Sequence, residues 1–133
     1  MMVSSRGRYA LRVLLDLAQH REDGYVPMHV IAQRQGISKK YMEQIMPALT
    51  KGGLVDSVQG KRGGYRLNRP PQEYSVGEIL RLTEGDLAPV ACLSSGAEPC
   101  DRVSDCPTIR MWSRFNELTN EFFNGIALTD LMQ

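Results

Sequence analysis

Residues 36–67 read GISKKYMEQIMPALTKGGLVDSVQGKRGGYRL, and this stretch decides the fold. Ser38 suits the N-cap of a helix, and the Gly52-Gly53 pair suits the end of one. Apolar residues recur between them at helical spacing, which predicts a helix from Ser38 to about Lys51. The predicted apolar face consists of Tyr41, Ile45, Met46 and Leu49.

Another helix is predicted immediately before this one. Pro27 suits the first position of a helix, and Gly36 suits its end. A still earlier helix, over about residues 6–20, can be capped by Ser4 or Ser5. Two helices joined by a short turn form the helix-turn-helix pattern, whose second helix can enter the major groove of DNA.

The same stretch continues into a predicted β-hairpin. Residues 54–58 and 65–67 have the composition of two short strands, and residues 60–64, GKRGG, join them. The glycines permit a tight turn, and Lys61 and Arg62 place two cations at its tip. A hairpin at this position is a wing. The predicted fold is therefore mostly α with a small β-hairpin, a winged helix-turn-helix.

The second half of the chain is predicted to contain two helices separated by an irregular segment. Ser75 and Glu78 form a capping-box pattern that opens a helix ending near Gly85. Residues 86–107 contain three prolines and no convincing periodicity, which predicts a loop. A long helix follows from Thr108 to about Asn124.

This long C-terminal helix carries an apolar stripe. Its spacing of four, three and four residues is typical of a seam between two helices, which predicts pairing with a second copy of the chain. Packing against its own domain is the alternative. We expect residues 1–70 to form the DNA-binding region and residues 71–133 to supply a linker helix, the loop and a dimerisation helix, within one compact domain. The stripe consists of Met111, Phe115, Leu118 and Phe122.

The net charge of +1 hides an asymmetry between the two halves. Residues 1–70 hold twelve Lys and Arg against five Asp and Glu, a net charge of +7, whereas residues 71–133 hold four against ten, a net charge of −6. A basic half joined to an acidic half favours a part that binds nucleic acid and a separate part for sensing or pairing. Two ordinary surfaces of uneven charge are the alternative.

The residues predicted to contact DNA lie on the recognition helix, the wing and the first helix. Gln44 can bond adenine, Lys39 and Lys40 can reach guanine or phosphate, and Glu43 can accept from cytosine. Lys39 and Glu43 lie four residues apart, so an ion pair on a solvated face is the alternative for these two. Polar and basic wing residues can contact phosphates or the minor groove. The candidates are Ser38, Lys39, Lys40, Tyr41, Glu43, Gln44, Gln59, Lys61 and Arg62, together with Arg6 and Arg8 at the start of the first helix.

Three cysteines, Cys92, Cys100 and Cys106, fall within the predicted loop, and the chain has no others. Thiolates bind iron–sulfur clusters or zinc, and a loop allows three of them to converge. The C-x-x-C spacing of zinc ribbons and redox pairs is absent, and three thiols leave a fourth coordination position open. We take the three as candidate metal and cofactor ligands. Three free or redox-sensing thiols are the alternative.

The sequence disfavours several classes of protein. An odd cysteine count and the lack of a basic, then apolar, amino-terminal stretch favour a reduced cytoplasmic location over secretion. Arg12 and Asp16 interrupt the apolar residues 11–18, so no membrane span is expected there. An interaction module or a small redox enzyme is a further alternative, although the absence of C-x-x-C counts against catalysis.

A series of motifs runs in order along nearly the whole chain: SRGRYALR at 5–12, ISKKYMEQ at 37–44, GLVDSV at 53–58, GKRGGY at 60–65 and VGEI at 76–79, followed by the three cysteines and Trp112. Together they resemble the motifs of the IscR-like winged-helix transcriptional regulators. The resemblance implies a homodimer that binds near-palindromic double-stranded DNA. It also implies an iron–sulfur cluster between the fourth helix and the dimerisation helix, with a two-iron cluster favoured over a four-iron one.

Two ligand positions depart from this family's patterns. One branch places a histidine three residues after the last cysteine, where this chain has Ile109. The nitric-oxide-sensing branch has an acid before the tyrosine of the first helix, where this chain has Arg8. Glu98, Asp101, Asp105 or an external ligand could complete the site.

The resemblance and the residues together predict a dimeric DNA-binding transcriptional regulator rather than an enzyme. We expect it to sense iron–sulfur cluster, redox or nitric-oxide status through a cluster bound by the three cysteines. The alternative is a regulator of the same fold without a cluster, based on thiol chemistry or cysteine metabolism.

Overall fold

The computed structural model describes residues 2–132 and confirms the predicted mostly helical fold with a small β-hairpin. The helices are α1 Ser5–Gln19, α2 Met28–Gln35, α3 Lys39–Lys51, α4 Val76–Glu84, α5 Ile109–Asn124 and α6 Leu128–Leu131. The strands are β1 Val55–Val58 and β2 Gly64–Leu67. Single turns of 3₁₀-helix lie at Arg21–Asp23, Pro71–Glu73 and Ala91–Leu93.

Serine side chains cap the starts of three helices. The hydroxyls of Ser4, Ser38 and Ser75 each accept a hydrogen bond from the backbone N–H three residues later, at 3.3, 3.2 and 3.0 Å. Each bond satisfies a donor that the first turn of a helix leaves free. The Glu78 carboxylate does not complete the predicted capping box with Ser75. It accepts two hydrogen bonds from the guanidinium of Arg69, at 3.0 and 2.9 Å.

Helix α1 lies at the centre of the core and contacts α2, α3, β2, α4 and α6. Its apolar residues Leu14 and Leu17 are buried among side chains from both halves of the chain. Tyr74 is also fully buried, and its hydroxyl donates a 2.6 Å hydrogen bond to the carbonyl of Leu54. The hydrophobic core therefore joins the helix-turn-helix to the segment that follows it.

The predicted apolar face of α3 is wrong at one position. Tyr41 is 37 % exposed, and its ring packs edge-on against Tyr9 with the ring centroids 5.1 Å apart. Met42 is fully buried and takes the place in the core expected for Tyr41. Tyr41 and Met42 are adjacent in the sequence, and each lies one helical turn before a buried residue of α3. The spacing of apolar residues alone therefore could not show which of the two is buried. The other predicted members, Ile45, Met46 and Leu49, are fully buried.

The two strands form an antiparallel hairpin that is anchored to the core at its base. Val55 lies opposite Leu67, and both are buried, whereas Val58 lies opposite Gly64 near the tip. Backbone hydrogen bonds between Val26 and β2 attach the hairpin to the segment before α2. A Cβ atom at Gly64 would collide with the backbone of Val26, so this close approach requires glycine.

Helix α5 packs on α4 at the edge of the molecule. The Arg81 guanidinium of α4 donates to the side-chain oxygens of Asn120 and Asn124, at 3.1 and 2.6 Å. The chain then returns through α6, which sequence analysis missed, and Leu128 of α6 is fully buried. Within residues 2–132, no helix has both the length and the apolar character to cross a membrane.

Candidate nucleic-acid interface and thiol hollow

The first two turns of α3 present polar side chains to solvent. Lys39 and Glu43 approach each other, with Nζ and Oε1 3.9 Å apart, while their side chains remain 83 % and 56 % exposed. A pair this exposed contributes little stability, so both side chains can exchange their mutual contact for another partner. All six predicted contacts on this helix are exposed, namely Ser38, Lys39, Lys40, Tyr41, Glu43 and Gln44.

A buried carboxylate fixes α2 against α1 and thereby positions the helix-turn-helix. Asp16 is 1 % exposed and accepts hydrogen bonds from Arg34 Nη2 at 2.7 Å, Arg34 Nε at 3.1 Å and Gln35 Nε2 at 2.9 Å. A bidentate guanidinium–carboxylate pair fixes both distance and orientation. This role of Asp16 was not predicted from the sequence, although an acidic residue among the apolar residues of α1 was a sign of it.

The start of α1 places two more predicted contacts at the surface. Arg6 and Arg8 are exposed, and Arg8 Nη2 donates to the hydroxyl of Ser5 at 3.1 Å. The Ser4 hydroxyl and backbone N–H both donate to the Glu84 carboxylate, at 2.6 and 3.1 Å. Glu84 therefore anchors this end of α1 to α4.

The wing tip carries the remaining predicted DNA contacts. Gln59, Lys61 and Arg62 are exposed on the turn between β1 and β2. In the described part of the chain, neither of these two cations forms a salt bridge. Their charges are therefore available to an external anion.

The three cysteines line one hollow between the loop and the start of α5, which we call the thiol hollow. It has a volume of about 220 Å³. Cys92 and Cys100 are exposed and Cys106 is half-buried, and all three thiols are free. Helix α5 contributes Ile109 and Ser113, one helical turn apart, so the hollow lies between the cysteine loop and this helix. Its lining is Cys92, Leu93, Pro99, Cys100, Val103, Cys106, Ile109 and Ser113.

Hydrogen bonds at the start of α5 lower the pKa of the Cys106 thiol below its ordinary value. The Thr108 hydroxyl makes the largest contribution, with Sγ and Oγ1 3.6 Å apart, followed by the backbone N–H groups of Thr108 and Ile109. Burial and the charge of Asp105 oppose the shift. These donors favour the thiolate, which is the form that binds metals and reacts with oxidants.

The thiol hollow fits a thiolate-bound metal group in its donor chemistry. Across residues 2–132, no three His, Cys, Asp or Glu side chains stand close enough together to hold a metal ion. The loop would therefore have to draw its thiols together on binding. The carboxylates of Glu98, Asp101 and Asp105 are exposed and do not line the hollow.

Asp86 ties the loop that carries Cys92 back to the end of α4. Its carboxylate accepts hydrogen bonds from the backbone N–H groups of Ala88 and Ser95, each at 3.1 Å. These bonds, with that from Ala88 the largest contribution, lower the pKa of Asp86 below its ordinary value. The Asp86 side chain thus bridges two backbone groups that lie on either side of Cys92 in the sequence.

The predicted pairing stripe lies on the outer face of α5. Met111, Phe115, Leu118 and Phe122 are 55 %, 41 %, 49 % and 63 % exposed. None of the residues in α5 is fully buried. An exposed apolar row of this length is typical of surfaces that interact with another molecule.

Comparisons with known proteins place these features in a family. The model of the Rrf2 family, described as "Iron-dependent Transcriptional regulator", matches residues 3–133. The HTH-type transcriptional regulator IscR of Aliivibrio salmonicida is 39 % identical over 132 residues, which cover 99 % of this chain and 77 % of that protein.

Two solved structures show the same likeness in three dimensions. The IscR of T. potens has 34 % sequence identity and a TM-score of 0.76, with 98 % of this chain and 85 % of that chain covered. CymR, the global cysteine regulator of B. subtilis, has 31 % identity and a TM-score of 0.80, with 98 % and 95 % covered.

Proposed function

Because the chain belongs to the Rrf2 family of transcriptional regulators, which are not enzymes, we propose that it is a homodimer whose DNA binding responds to an iron–sulfur cluster held by the thiol hollow. The observation that carries the proposal is the position of the hollow. Three thiols open into one space at the start of the helix that bears the exposed apolar stripe. A cluster there would touch both the loop and the pairing helix.

DNA recognition is assigned to α3 and the wing. The start of α3 enters the major groove, where Gln44 reads adenine and Glu43 accepts from a cytosine amine. The wing tip contributes Lys61 and Arg62 to phosphates or the minor groove. Since a two-fold dimer presents two such readers, the preferred site is near-palindromic double-stranded DNA.

Pairing is assigned to the stripe on α5. Its four apolar side chains are between 41 % and 63 % exposed in the single chain. A second copy offers the same stripe, so the contact is self-complementary about a two-fold axis. Removing these side chains from water supplies the driving force.

The proposed cluster ligands are Cys92, Cys100 and Cys106. When bound, the cluster supplies an iron–sulfur centre that is sensitive to oxidants and nitric oxide. The chain's part is to order residues 86–107 against α5 as the thiols converge. Arg81 connects α5 to α4, and α4 packs on α1, so a shift of α5 reaches the DNA-reading helices. The cluster changes the affinity for DNA to the extent that it favours one of two arrangements of the DNA-reading helices.

Anaerobic purification tests the proposal directly. We expect protein isolated without oxygen to contain iron and sulfide, to absorb visible light and to change its affinity for operator DNA when the cluster is removed. Cys92→Ser, Cys100→Ser and Cys106→Ser are each expected to reduce the iron content. A colourless, iron-free protein that still responds to its signal would overturn the cluster.

A regulator without a cluster is the second candidate, and the Cys106 environment is the observation in its favour. Hydrogen bonds from Thr108 stabilise the thiolate, which is the reactive form toward oxidants and persulfides. This alternative predicts that the triple Cys→Ser variant loses its response to thiol oxidants while the native protein never contained iron.

A further inference from the structure

We propose that the Ser113 hydroxyl is the fourth protein ligand of the cluster in the thiol hollow. This inference rests on the proposed function, because it assigns the coordination position that three cysteines leave open. It names a residue of α5, whereas the three thiols come from the loop before that helix.

The lining of the thiol hollow singles out Ser113 by its chemistry. Besides the three cysteines, the other lining side chains are hydrocarbon, namely Leu93, Pro99, Val103 and Ile109. Among the lining residues that the structure describes, Ser113 is the only one whose side chain contains an oxygen or nitrogen atom. The position three residues after the last cysteine, Ile109, has no donor atom to offer.

The geometry of α5 places Ser113 in the lining of the hollow that the three cysteines share. Ser113 lies four residues after Ile109, so the two share one face of the helix, and Cys106 lies just before the helix begins. Ser113 is half-buried, and its hydroxyl makes no hydrogen bond to another group within residues 2–132. Ligation would therefore break no existing contact of that hydroxyl in the described chain.

Other candidate donors are placed less favourably. The carboxylates of Glu98, Asp101 and Asp105 are exposed and lie outside the lining. The Thr108 hydroxyl does not line the hollow, and it contacts the Cys106 sulfur. The His20 imidazole bonds the carbonyl of its own helix at Asp16, 2.8 Å away.

Ligation forms one iron–oxygen bond and releases the hydroxyl proton to water. The iron that Ser113 binds would then have a hard oxygen ligand beside soft sulfur ligands. Replacing that oxygen by sulfur changes the charge-transfer absorption and the magnetic signature of the reduced cluster. Both quantities can be measured without any assay of DNA binding.

The experiment compares native protein with Ser113→Ala, Ser113→Cys and Ser104→Ala, all purified without oxygen. Ser104 is an exposed serine of the same loop that does not line the hollow, so its variant is the matched control. Iron and sulfide per chain, the visible spectrum, the electron paramagnetic resonance spectrum after reduction, and the rate of iron loss to a chelator are recorded.

We expect Ser113→Ala to lose iron to the chelator about tenfold faster than native protein or more, since losing even an outer-shell partner of a metal ligand costs about tenfold or more in metal affinity. Ser113→Cys should retain iron and sulfide but show shifted resonance and visible spectra. Ser104→Ala should match the native protein in every measurement.

Each contrary result has a distinct meaning. Native protein without iron and sulfide overturns the proposed function and this inference together. Native protein with a cluster, and a Ser113→Ala variant with the native spectrum and rate of iron loss, overturns only the assignment of Ser113. If circular dichroism shows that Ser113→Ala is unfolded, Ser113→Cys decides, because an unchanged spectrum in that variant contradicts oxygen ligation.

Discussion

Single residues fix the geometry of the DNA-reading surface, and Asp16 is the clearest example. Its carboxylate is buried in α1 and binds two consecutive side chains of α2. A buried charge is costly unless it is paired and hydrogen-bonded, and Asp16 is both. The helix-turn-helix therefore depends on one charged contact as well as on its apolar core.

Asp16→Ala should lower the free energy of unfolding by about 3 kcal/mol. The value lies at the lower end for a broken ion pair, because the Arg34 side chain remains 29 % exposed and regains some hydration. Urea denaturation measures the change. Asp23→Ala, at an exposed acid beyond α1, is the control and should stay within about 0.5 kcal/mol of native. Equal effects of the two variants would refute the role of Asp16.

Asp86 provides a pH-dependent restraint on the cysteine loop. Because the folded-state pKa is lowered by the N–H groups of Ala88 and Ser95, the carboxylate stabilises the loop above the ordinary aspartate pKa. That stabilisation is lost as the pH falls through the lowered folded-state pKa. Nuclear magnetic resonance should show the Ala88 amide shift titrating with Asp86, and Asp86→Ala should abolish that titration. An Ala88 amide that titrates identically in both proteins would contradict the restraint.

Sequence reasoning found the residues whose role is local and missed those whose role depends on a distant partner. The caps at Ser38 and Ser75 follow from nearby backbone, so they could be predicted. The sequence predicted a capping box for Glu78, but Glu78 pairs instead with Arg69. Local sequence could not show this partner, because only the folded linker brings Arg69 close. The role of Asp16 could not be predicted, because its partner Arg34 lies on α2 and reaches it only when α2 packs on α1.

Among the elements, the wing is a hairpin that is anchored at its base and carries two exposed cations at its tip. Its base is fixed by buried Val55 and Leu67 and by the backbone bonds of β2 to Val26. Its tip carries exposed Lys61 and Arg62. This division predicts that the tip can be altered without loss of fold.

Lys61→Ala combined with Arg62→Ala should weaken DNA binding about equally for all sequences. Two lost phosphate contacts should reduce the slope of log affinity against log salt by about 1.8. Titrations of labelled duplex at several salt concentrations measure the slope, and circular dichroism checks the fold. Lys51→Ala, at the far end of α3, is the control and should leave the slope unchanged. An unchanged slope for the wing variant would show that its tip does not touch DNA.

Elements with long periodic sequences were predictable, and short ones that depend on tertiary contacts were not. The helices from Ser38 to Lys51 and from Thr108 to Asn124 match α3 and α5 within one residue at each end. Helix α6 has only four residues, too few for a periodic pattern, and depends on buried Leu128 and on one backbone hydrogen bond, from Leu128 to Tyr74. The thiol hollow likewise needed the fold, because Ser113 lies on α5 rather than in the cysteine loop.

At the scale of the whole molecule, the basic and acidic halves share one core but offer separate surfaces. Ile79 of α4 and buried residues of α1, α3 and α6 belong to one apolar cluster, so the two halves cannot move independently without disturbing it. Val76 and Leu80 of α4 form a second, smaller cluster with Leu87. The exposed stripe of α5 lies outside that cluster. Pairing through the stripe would therefore add a surface without rearranging the core.

Leu118→Glu tests that pairing, since Leu118 lies within the stripe and is already 49 % exposed. The substitution should leave the monomer folded, because Leu118 is not part of the hydrophobic core. It should prevent association, because a second copy would bury the new carboxylate without a partner. Sedimentation equilibrium should show a dimer for the native chain and a monomer for the variant. Gln72→Glu adds the same charge at an exposed site away from α5 and should remain dimeric.

The monomeric Leu118→Glu variant should also lose its preference for a duplex with two half-sites over a duplex with one, since a single chain presents a single DNA-reading helix. A variant that stays dimeric would place the pairing surface elsewhere and leave the stripe without its assigned role.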